Sequence, residues 1–167
     1  IQRSIEVDRT LRDKYRNDAA FYDRAEAELL AESSSITSQI RALMSSGRAS
    51  FKVVRNSTGS FMWPIHGRIN SGFGYRFHPI HRRTIMHTGL DIGGPNGGAI
   101  HAADGGQVIW AGWKGGYGKA VMINHGNRNG RNLVTLYGHM SALAVSTGQS
   151  VSKGQVVACI EKGACSL

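Results

Sequence analysis

The sequence predicts a mainly β domain, an antiparallel β-sandwich or barrel-like assembly, preceded by an α-helical coiled-coil segment. Glycine is the first indicator, because residues 4–44 contain neither Gly nor Pro, whereas residues 51–167 hold 21 of the 22 glycines. The second indicator is a set of short β-branched runs that alternate with these glycines. Short strands joined by many tight turns are typical of all-β architectures.

The first segment, residues 1–47, is expected to be helical because it is rich in Ala, Glu, Arg and Leu. Apolar residues recur at every seventh position within it: Tyr15, Tyr22, Leu29, Ile36 and Leu43. The companion positions four residues further on are only partly apolar, so the spacing fits either a weak coiled-coil seam or a helix lying on a domain surface. The hydroxyl residues at 33–37 could also cap and restart the helix, which would give two helices.

The segments Ser45-Ser-Gly-Arg-Ala-Ser50 and Asn56-Ser-Thr-Gly-Ser60 interrupt the pattern, and they predict a linker at residues 48–60. The β domain is expected to occupy residues 61–167. Its clearest strands are predicted in the apolar and β-branched runs at residues 106–111, 120–124, 132–137 and 156–160.

Charge is divided unevenly along the chain. Residues 51–167 carry twelve Lys or Arg against three Asp or Glu, while residues 1–50 carry eight of each, so the net charge of +9 belongs to the second part. Such a surplus attracts polyanions such as anionic wall polymers, although it can also serve only to keep a glycine-rich domain in solution. No nucleic-acid-binding motif accompanies it, so nucleic acid is not an expected partner.

Membrane and redox signals are sparse. No run of eighteen apolar residues occurs, so no transmembrane segment is expected. The first residues lack the basic start and apolar stretch of a signal peptide, and any signal or anchor is therefore expected outside this chain. Cys159 and Cys165 lie six residues apart and could form a short disulfide loop or remain free thiols.

A histidine and an aspartate four residues apart form the most informative motif, His87-Thr-Gly-Leu-Asp91. An imidazole nitrogen and a carboxylate oxygen at this spacing can converge on one divalent cation, and this pair of donors suits zinc. By itself the spacing also fits an ordinary solvated turn. Its sequence context favours the metal.

That context is a series of segments running from residue 61 to residue 157: FMWPIHGRINSGFGYR (61–76), HPI (78–80), HTGLDIG (87–93), AADGGQV (102–108), AGWKGGYG (111–118), YGHMS (137–141) and VSKGQVV (151–157). In this order the segments resemble the lysostaphin/LytM-type zinc endopeptidases, which cut peptide crosslinks in bacterial cell walls. The helical segment similarly resembles the coiled-coil extensions of envelope division factors that carry the same type of domain.

The resemblance implies roles for three residues. His87 and Asp91 match two zinc ligands, and His139 matches a catalytic histidine that lies near the metal-bound water without ligating the metal. The third ligand and a second catalytic histidine of the family lie in a His-x-His strand, and no histidine follows His139 in this sequence. The 167 residues alone are therefore expected to be nearly inactive.

Four further residues are candidates for substrate contact. Asn70 and Arg76 fall where the family carries polar residues beside the cleft, and Tyr117 falls on a loop expected to form its wall. His81 is expected on a loop that rims the site. The other histidines are expected to be structural, and His125, in Asn-His-Gly-Asn, is expected in a turn after a strand.

Two functions remain open at this stage. The first is a zinc metalloendopeptidase of the cell envelope, periplasmic or extracellular, that hydrolyses peptidoglycan peptides. The second is a peptidase-like domain without activity that binds the cell wall or activates a separate wall amidase, with the N-terminal helices engaging a protein partner. Retention of His87 and Asp91 favours the enzyme, because relatives that act as activators usually lose zinc ligands.

Overall fold

A computed structural model of the chain describes Arg24, Ala27, Leu30 and Ala31 together with residues 33–42, 56–78, 83–95 and 97–160. The chain divides into two compact units. One comprises Ile1–Ser45 and Gly72–Leu90, and the other comprises Ser46–Ser71 and Asp91–Leu167.

Strands dominate the described residues, and every strand pairing among them is antiparallel. The prediction of a mainly β, antiparallel fold is confirmed. The strands are β1 Ile69–Ser71, β2 Gly74–His78, β3 Arg83–His87, β4 Asp91–Ile92, β5 Ala99–His101, β6 Gly106–Trp113, β7 Lys119–Arg128, β8 Arg131–Met140, β9 Ala142–Leu143, β10 Ser150–Val151 and β11 Val156–Cys159.

The first unit contains helical residues and the β2–β3 pair. Residues 33–42 are helical throughout, so the expected restart at 33–37 is wrong. Hydroxyl groups there donate to carbonyls of the preceding turn instead, from Ser34 to Ala31 at 2.8 Å and from Thr37 to Ser33 at 3.0 Å. Ile36 is buried, while the other four members of the heptad lie outside the described residues.

The second unit contains a four-stranded sheet, β10-β6-β7-β8, and a three-stranded sheet, β5-β11-β9. One apolar cluster draws on both sheets: Ile65, Ile100, Ala102, Ala103, Val108, Val121, Ile123, Tyr137, Val145, Val151, Val157 and Ala158. Each fully buried Val or Ile of this kind contributes roughly 1.5–3 kcal/mol. The two sheets are therefore held together by a common core.

Two β-bulges interrupt the register between β7 and β8. At one, His125 and Gly126 oppose the single residue Leu133, because Asn124 pairs with Val134 and Asn127 with Asn132. At the other, Gly138 and His139 oppose the single residue Ala120, because Lys119 pairs with Met140 and Val121 with Tyr137. A bulge bends its strand and redirects a side chain, so both histidines depart from the alternation of the sheet.

Asp104 anchors residues 57–59 of the second unit. Its buried carboxylate accepts hydrogen bonds from the Ser57 hydroxyl at 2.9 Å and from the backbone N–H groups of Thr58 and Gly59 at 2.9 Å each. Burial alone raises the pKa of Asp104, but these bonds and one from the Gly105 N–H outweigh burial and hold the pKa well below its ordinary value. Gly105 has no side chain because a Cβ there would overlap the Asn56 carbonyl oxygen.

Two further expectations concern the cysteines and the membrane. Cys159, at the end of β11, is buried and disulfide-bonded, and Cys165 lies outside the described residues. Within the described part of the chain, no helix is both long and apolar enough to cross a membrane.

Candidate metal and catalytic site

His87 ends strand β3, and its ring is oriented by the backbone of the same unit. Its Nδ1 lies 2.7 Å from the carbonyl oxygen of Gly72. A carbonyl oxygen can only accept, so Nδ1 carries the proton, and Nε2 of the neutral ring holds the lone pair. Metal-binding histidines are commonly fixed in this way, with one nitrogen donating to a carbonyl and the other offered as the ligand.

Asp91 begins strand β4 in the second unit. This strand pairs with β1, where Asp91 lies opposite Ser71 and Ile92 opposite Ile69. The Asp91 side chain is exposed, so its carboxylate lies at the surface of the short sheet. His87 thus ends β3 and Asp91 begins β4, with three residues between them in the chain.

Asn70 lies on β1, the partner strand of β4. Its side-chain amide covers Gly93, because a Cβ at Gly93 would be 2.8 Å from the Asn70 Nδ2. Gly93 also donates its backbone N–H to the Arg68 carbonyl at 2.9 Å. The Asn70 amide therefore lies over Gly93, directly after the strand that carries Asp91, and a side chain at position 93 would displace it.

His139 lies in the bulge on β8, at Gly138 and His139, and is exposed. Its φ of 61° is in the left-handed region, which costs a non-glycine residue roughly 1–2 kcal/mol. Strain of this kind persists where the surrounding structure enforces it and is concentrated at functional sites. Its ring lies 6.5 Å from the ring of Tyr117, with 32° between the planes.

Among the predicted site residues of the second unit, the structure brings Tyr117 and His139 together. Arg76 lies on β2 with its backbone opposite Ile85, and its side chain is not among those described. His81 lies outside the described residues. The structure thus locates Asn70, His87, Asp91, Tyr117 and His139 by their side chains and Arg76 by its backbone.

The side chains of His87 and Asp91 are of types that bind zinc, because an imidazole nitrogen and a carboxylate are two of its ordinary ligands. A catalytic zinc site uses three protein ligands and leaves a position open for water. Within residues 33–42, 56–78, 83–95 and 97–160, no group of three or more His, Cys, Asp or Glu side chains forms a metal site. The three-ligand arrangement of a catalytic zinc site is therefore not found among these described residues.

His125 shows an arrangement that sequence reasoning missed. It is 2% exposed, and its Nδ1 donates to the Gly105 carbonyl at 2.9 Å while its Nε2 lies 2.8 Å from the Thr135 Oγ1. The expected turn is wrong because Gly126, with a φ of 87°, forms a bulge that lets β7 continue to Arg128. Burial lowers the pKa of His125, and the Gly105 bond and the Asp104 charge only partly oppose that effect.

The hydrogen bonds around His125 form one consistent chain. Neutral His125 accepts the Thr135 hydroxyl proton at Nε2, and the Thr135 Oγ1 then accepts from the Tyr137 hydroxyl 3.0 Å away. The Tyr137 oxygen in turn accepts the Ala103 backbone N–H at 2.8 Å. Burial raises the pKa of Tyr137, so it keeps its proton. Every ring nitrogen and hydroxyl of this network is satisfied, which indicates a structural role.

Comparison with known proteins supports the identification of this region. Residues 85–166 match the sequence pattern of peptidase family M23. The chain is 41% identical over 107 residues to the DD-carboxypeptidase/endopeptidase Mpg of Neisseria meningitidis, a match covering 64% of this chain and 24% of that protein. It is 30% identical over 102 residues to the murein hydrolase activator EnvC of Escherichia coli, which covers 61% of this chain and 22% of EnvC.

Among solved structures, a zinc containing peptidase from Vibrio cholerae is similar with a TM-score of 0.50 and 27% identity, over 64% of this chain and 34% of that one. The chain therefore spans about a quarter to a third of the length of these relatives. The segment that matches peptidase family M23, residues 85–166, carries the His87–Asp91 motif, both bulges and His139.

Proposed function

We propose that this chain is the M23 part of a zinc metalloendopeptidase that hydrolyses peptide crosslinks of bacterial peptidoglycan. The observation that carries the proposal is the family match over residues 85–166, which includes both His87 and Asp91 and also His139. The proposed boundaries are a helical extension at 1–47, a linker at 48–60 and the peptidase domain at 61–167. The proposed location is the cell envelope.

His87 and Asp91 are the proposed zinc ligands. The bond from the His87 Nδ1 to Gly72 supports this role, because it directs the lone pair to Nε2. When bound, zinc polarises a peptide carbonyl and lowers the pKa of a coordinated water. In the family's pattern the third ligand belongs to a His-x-His strand, which has no counterpart among these 167 residues.

His139 is the proposed proton-transfer residue. An imidazole can accept a proton from attacking water and return it to the leaving amine. The exposure of His139 and its place in a bulge support this role, because they present the ring to an incoming peptide. Without a functional role, the strained φ of this exposed histidine would lower the stability of the fold with no compensating gain.

Substrate contacts are proposed for three of the remaining candidates, Asn70, Arg76 and His81. The position of Asn70 on β1, the strand that pairs with the strand of Asp91, supports this role. The surplus of Lys and Arg in residues 51–167 would also attract anionic wall polymers. Such attraction increases the encounter rate with the wall and weakens as salt is added.

The test combines zinc binding with cleavage, using the product of the complete gene. We expect one bound zinc and release of peptides from purified peptidoglycan. His87→Ala and Asp91→Asn should each weaken zinc binding at least about tenfold and abolish cleavage, since each removes a ligand. His66→Ala is the matched control, because His66 is an exposed histidine outside the motif, and it should behave like the wild type.

A second candidate function is activation of a separate murein hydrolase. It is favoured by the 30% identity to EnvC and by the predicted helical extension. In this case the complete protein would bind no zinc and release no peptides, but would accelerate wall lysis when added to a purified amidase. Stoichiometric zinc together with cleavage by the protein alone would contradict it.

A further inference from the structure

The bulge that presents His139 is covered on one side by an aromatic ring. Gly138 precedes His139 in the bulge, and a Cβ at Gly138 would lie 3.1 Å from the Tyr117 Cδ1 and 3.4 Å from the Tyr117 Cβ. A Cβ at these distances would be closer to Tyr117 than ordinary van der Waals contact allows, so Tyr117 packs directly on the glycine backbone. Its ring then reaches the ring of His139, 6.5 Å away between centroids, within the range of aromatic pairs.

Tyr117 is itself held by a tight loop. It ends the short 3₁₀ turn Gly115–Tyr117 between β6 and β7. Lys114 and Gly118 close this loop with a backbone hydrogen bond of 2.7 Å, and the Tyr117 N–H donates to the Lys114 carbonyl at 3.0 Å. The Lys114 ammonium also lies 4.5 Å from the centre of the Trp110 ring. The loop therefore has its own internal support.

His139 has far less support for its ring. Of the residues that the structure describes, none forms a hydrogen bond with the His139 imidazole, and Tyr117 is the aromatic residue beside it. The backbone conformation fixes where the side chain leaves the strand, but rotation about the side-chain bonds is a separate freedom. A neighbouring ring can restrict that rotation.

We infer that Tyr117 is a positioning residue for His139, which restricts the orientation of the imidazole by packing on the bulge at Gly138. The inference rests on the proposed function only for its catalytic consequence. Restricting a proton-transfer group before substrate arrives removes an entropic contribution to the barrier. Tyr117 thus acts through His139, and its hydroxyl is not required for this role.

The test records the NMR signals of the His139 ring protons in the 167-residue chain, with assignment by His139→Gln. Tyr117→Phe keeps the ring and should leave the His139 shifts and their contacts to residue 117 in place. Tyr117→Leu removes the ring and should move those shifts and average the side-chain rotamers. Trp113→Leu removes another exposed aromatic at the same end of the sheet and is the matched control, with unchanged His139 signals.

A second variant leaves both aromatic residues intact. Gly138→Ala places a methyl group against the Tyr117 ring and should displace it, so the His139 signals should move as they do in Tyr117→Leu. In the complete gene product, Tyr117→Leu should lower kcat about tenfold with KM within about threefold, while Tyr117→Phe stays within about threefold of wild type in both.

His139 signals that are identical in wild type, Tyr117→Leu and Gly138→Ala would overturn the inference. A loss confined to KM in Tyr117→Leu would also overturn it, because it would indicate substrate binding instead of positioning. If the complete gene product binds no zinc and cleaves nothing, the proposed function fails, but the NMR comparison still decides whether Tyr117 orients His139.

Discussion

His125 and His139 occupy the two bulges of the β7–β8 ladder, yet their surroundings are opposite. His125 is buried, and both of its ring nitrogens have partners, the Gly105 carbonyl and the Thr135 hydroxyl. His139 is exposed, has a φ of 61°, and lies beside the ring of Tyr117. The same local device therefore serves one histidine that stabilises the core and one that is presented at the surface.

A bulge thus redirects a side chain but does not determine what that side chain does. At His125, the bulge turns the ring toward hydrogen-bonding partners that satisfy it, and burial keeps it neutral by lowering its pKa. At His139, the bulge turns the ring outward at the expense of backbone strain. A buried ring whose nitrogens all have hydrogen-bond partners inside the protein stabilises the fold. An exposed ring can still bind or transfer a proton.

The largest expected effect is the loss of stability when His125 is removed. His125→Ala should lower the free energy of unfolding by about 2–4 kcal/mol, because it leaves a cavity and deprives both Gly105 and Thr135 of a buried partner. His139→Ala should change it by less than about 0.5 kcal/mol. Urea denaturation of both variants measures this contrast, and equal losses in the free energy of unfolding would contradict it.

The next effect is a pH dependence specific to His125. Burial lowers its pKa in the folded state, so below its unfolded value of about 6.5 the unfolded chain binds more protons and stability falls. The destabilisation by His125→Ala should therefore be greatest above about pH 7 and shrink as the pH falls below about 6.5. Urea denaturation of wild type and variant at several pH values between about 5 and 8 measures the difference.

A difference that stays constant over this range, or grows toward low pH, would show that His125 is not held neutral by the fold. The subtraction of variant from wild type removes the contribution of the other histidines, because they are present in both proteins.

The smallest expected difference in the free energy of unfolding is between the Gly and Ala variants, and its sign should differ between positions 125 and 139. His139→Gly should be about 1 kcal/mol more stable than His139→Ala, because glycine adopts a positive φ without strain. His125 is not among the described residues with a positive φ, so His125→Ala should be at least as stable as His125→Gly. Thermal or urea unfolding of the four variants tests this, and the same order at both sites would contradict the strain at His139.

Much of the β domain follows from local pattern. The runs at 106–111, 120–124 and 132–137 correspond to β6, β7 and β8, because β-branched residues fit the pleated, half-buried surface of a sheet. The ends of the strands were less predictable. β7 continues past Asn-His-Gly-Asn, since Gly126 forms a bulge where its composition indicates a turn.

The site was predictable in its residue types but not in its shape. The four-residue spacing of His87 and Asp91 and the segment around His139 identify candidates, because the chemistry of a metal site restricts the residues that can serve it. The conformation of His139 and the packing of Tyr117 on Gly138 depend on a register shift between two strands. No periodicity in a single strand reveals a shift that two strands create together.

The anchor at Asp104 has a mechanical consequence. Chain entering from the N-terminal side meets the β domain at Ser57, Thr58 and Gly59, which are all tied to the two oxygens of one carboxylate. Lys153 adds a second attachment through its ammonium group, 2.8 Å from the Ser60 carbonyl. Tension applied to the chain at Ser57 would thus be resisted by several short bonds within residues 57–60 acting together.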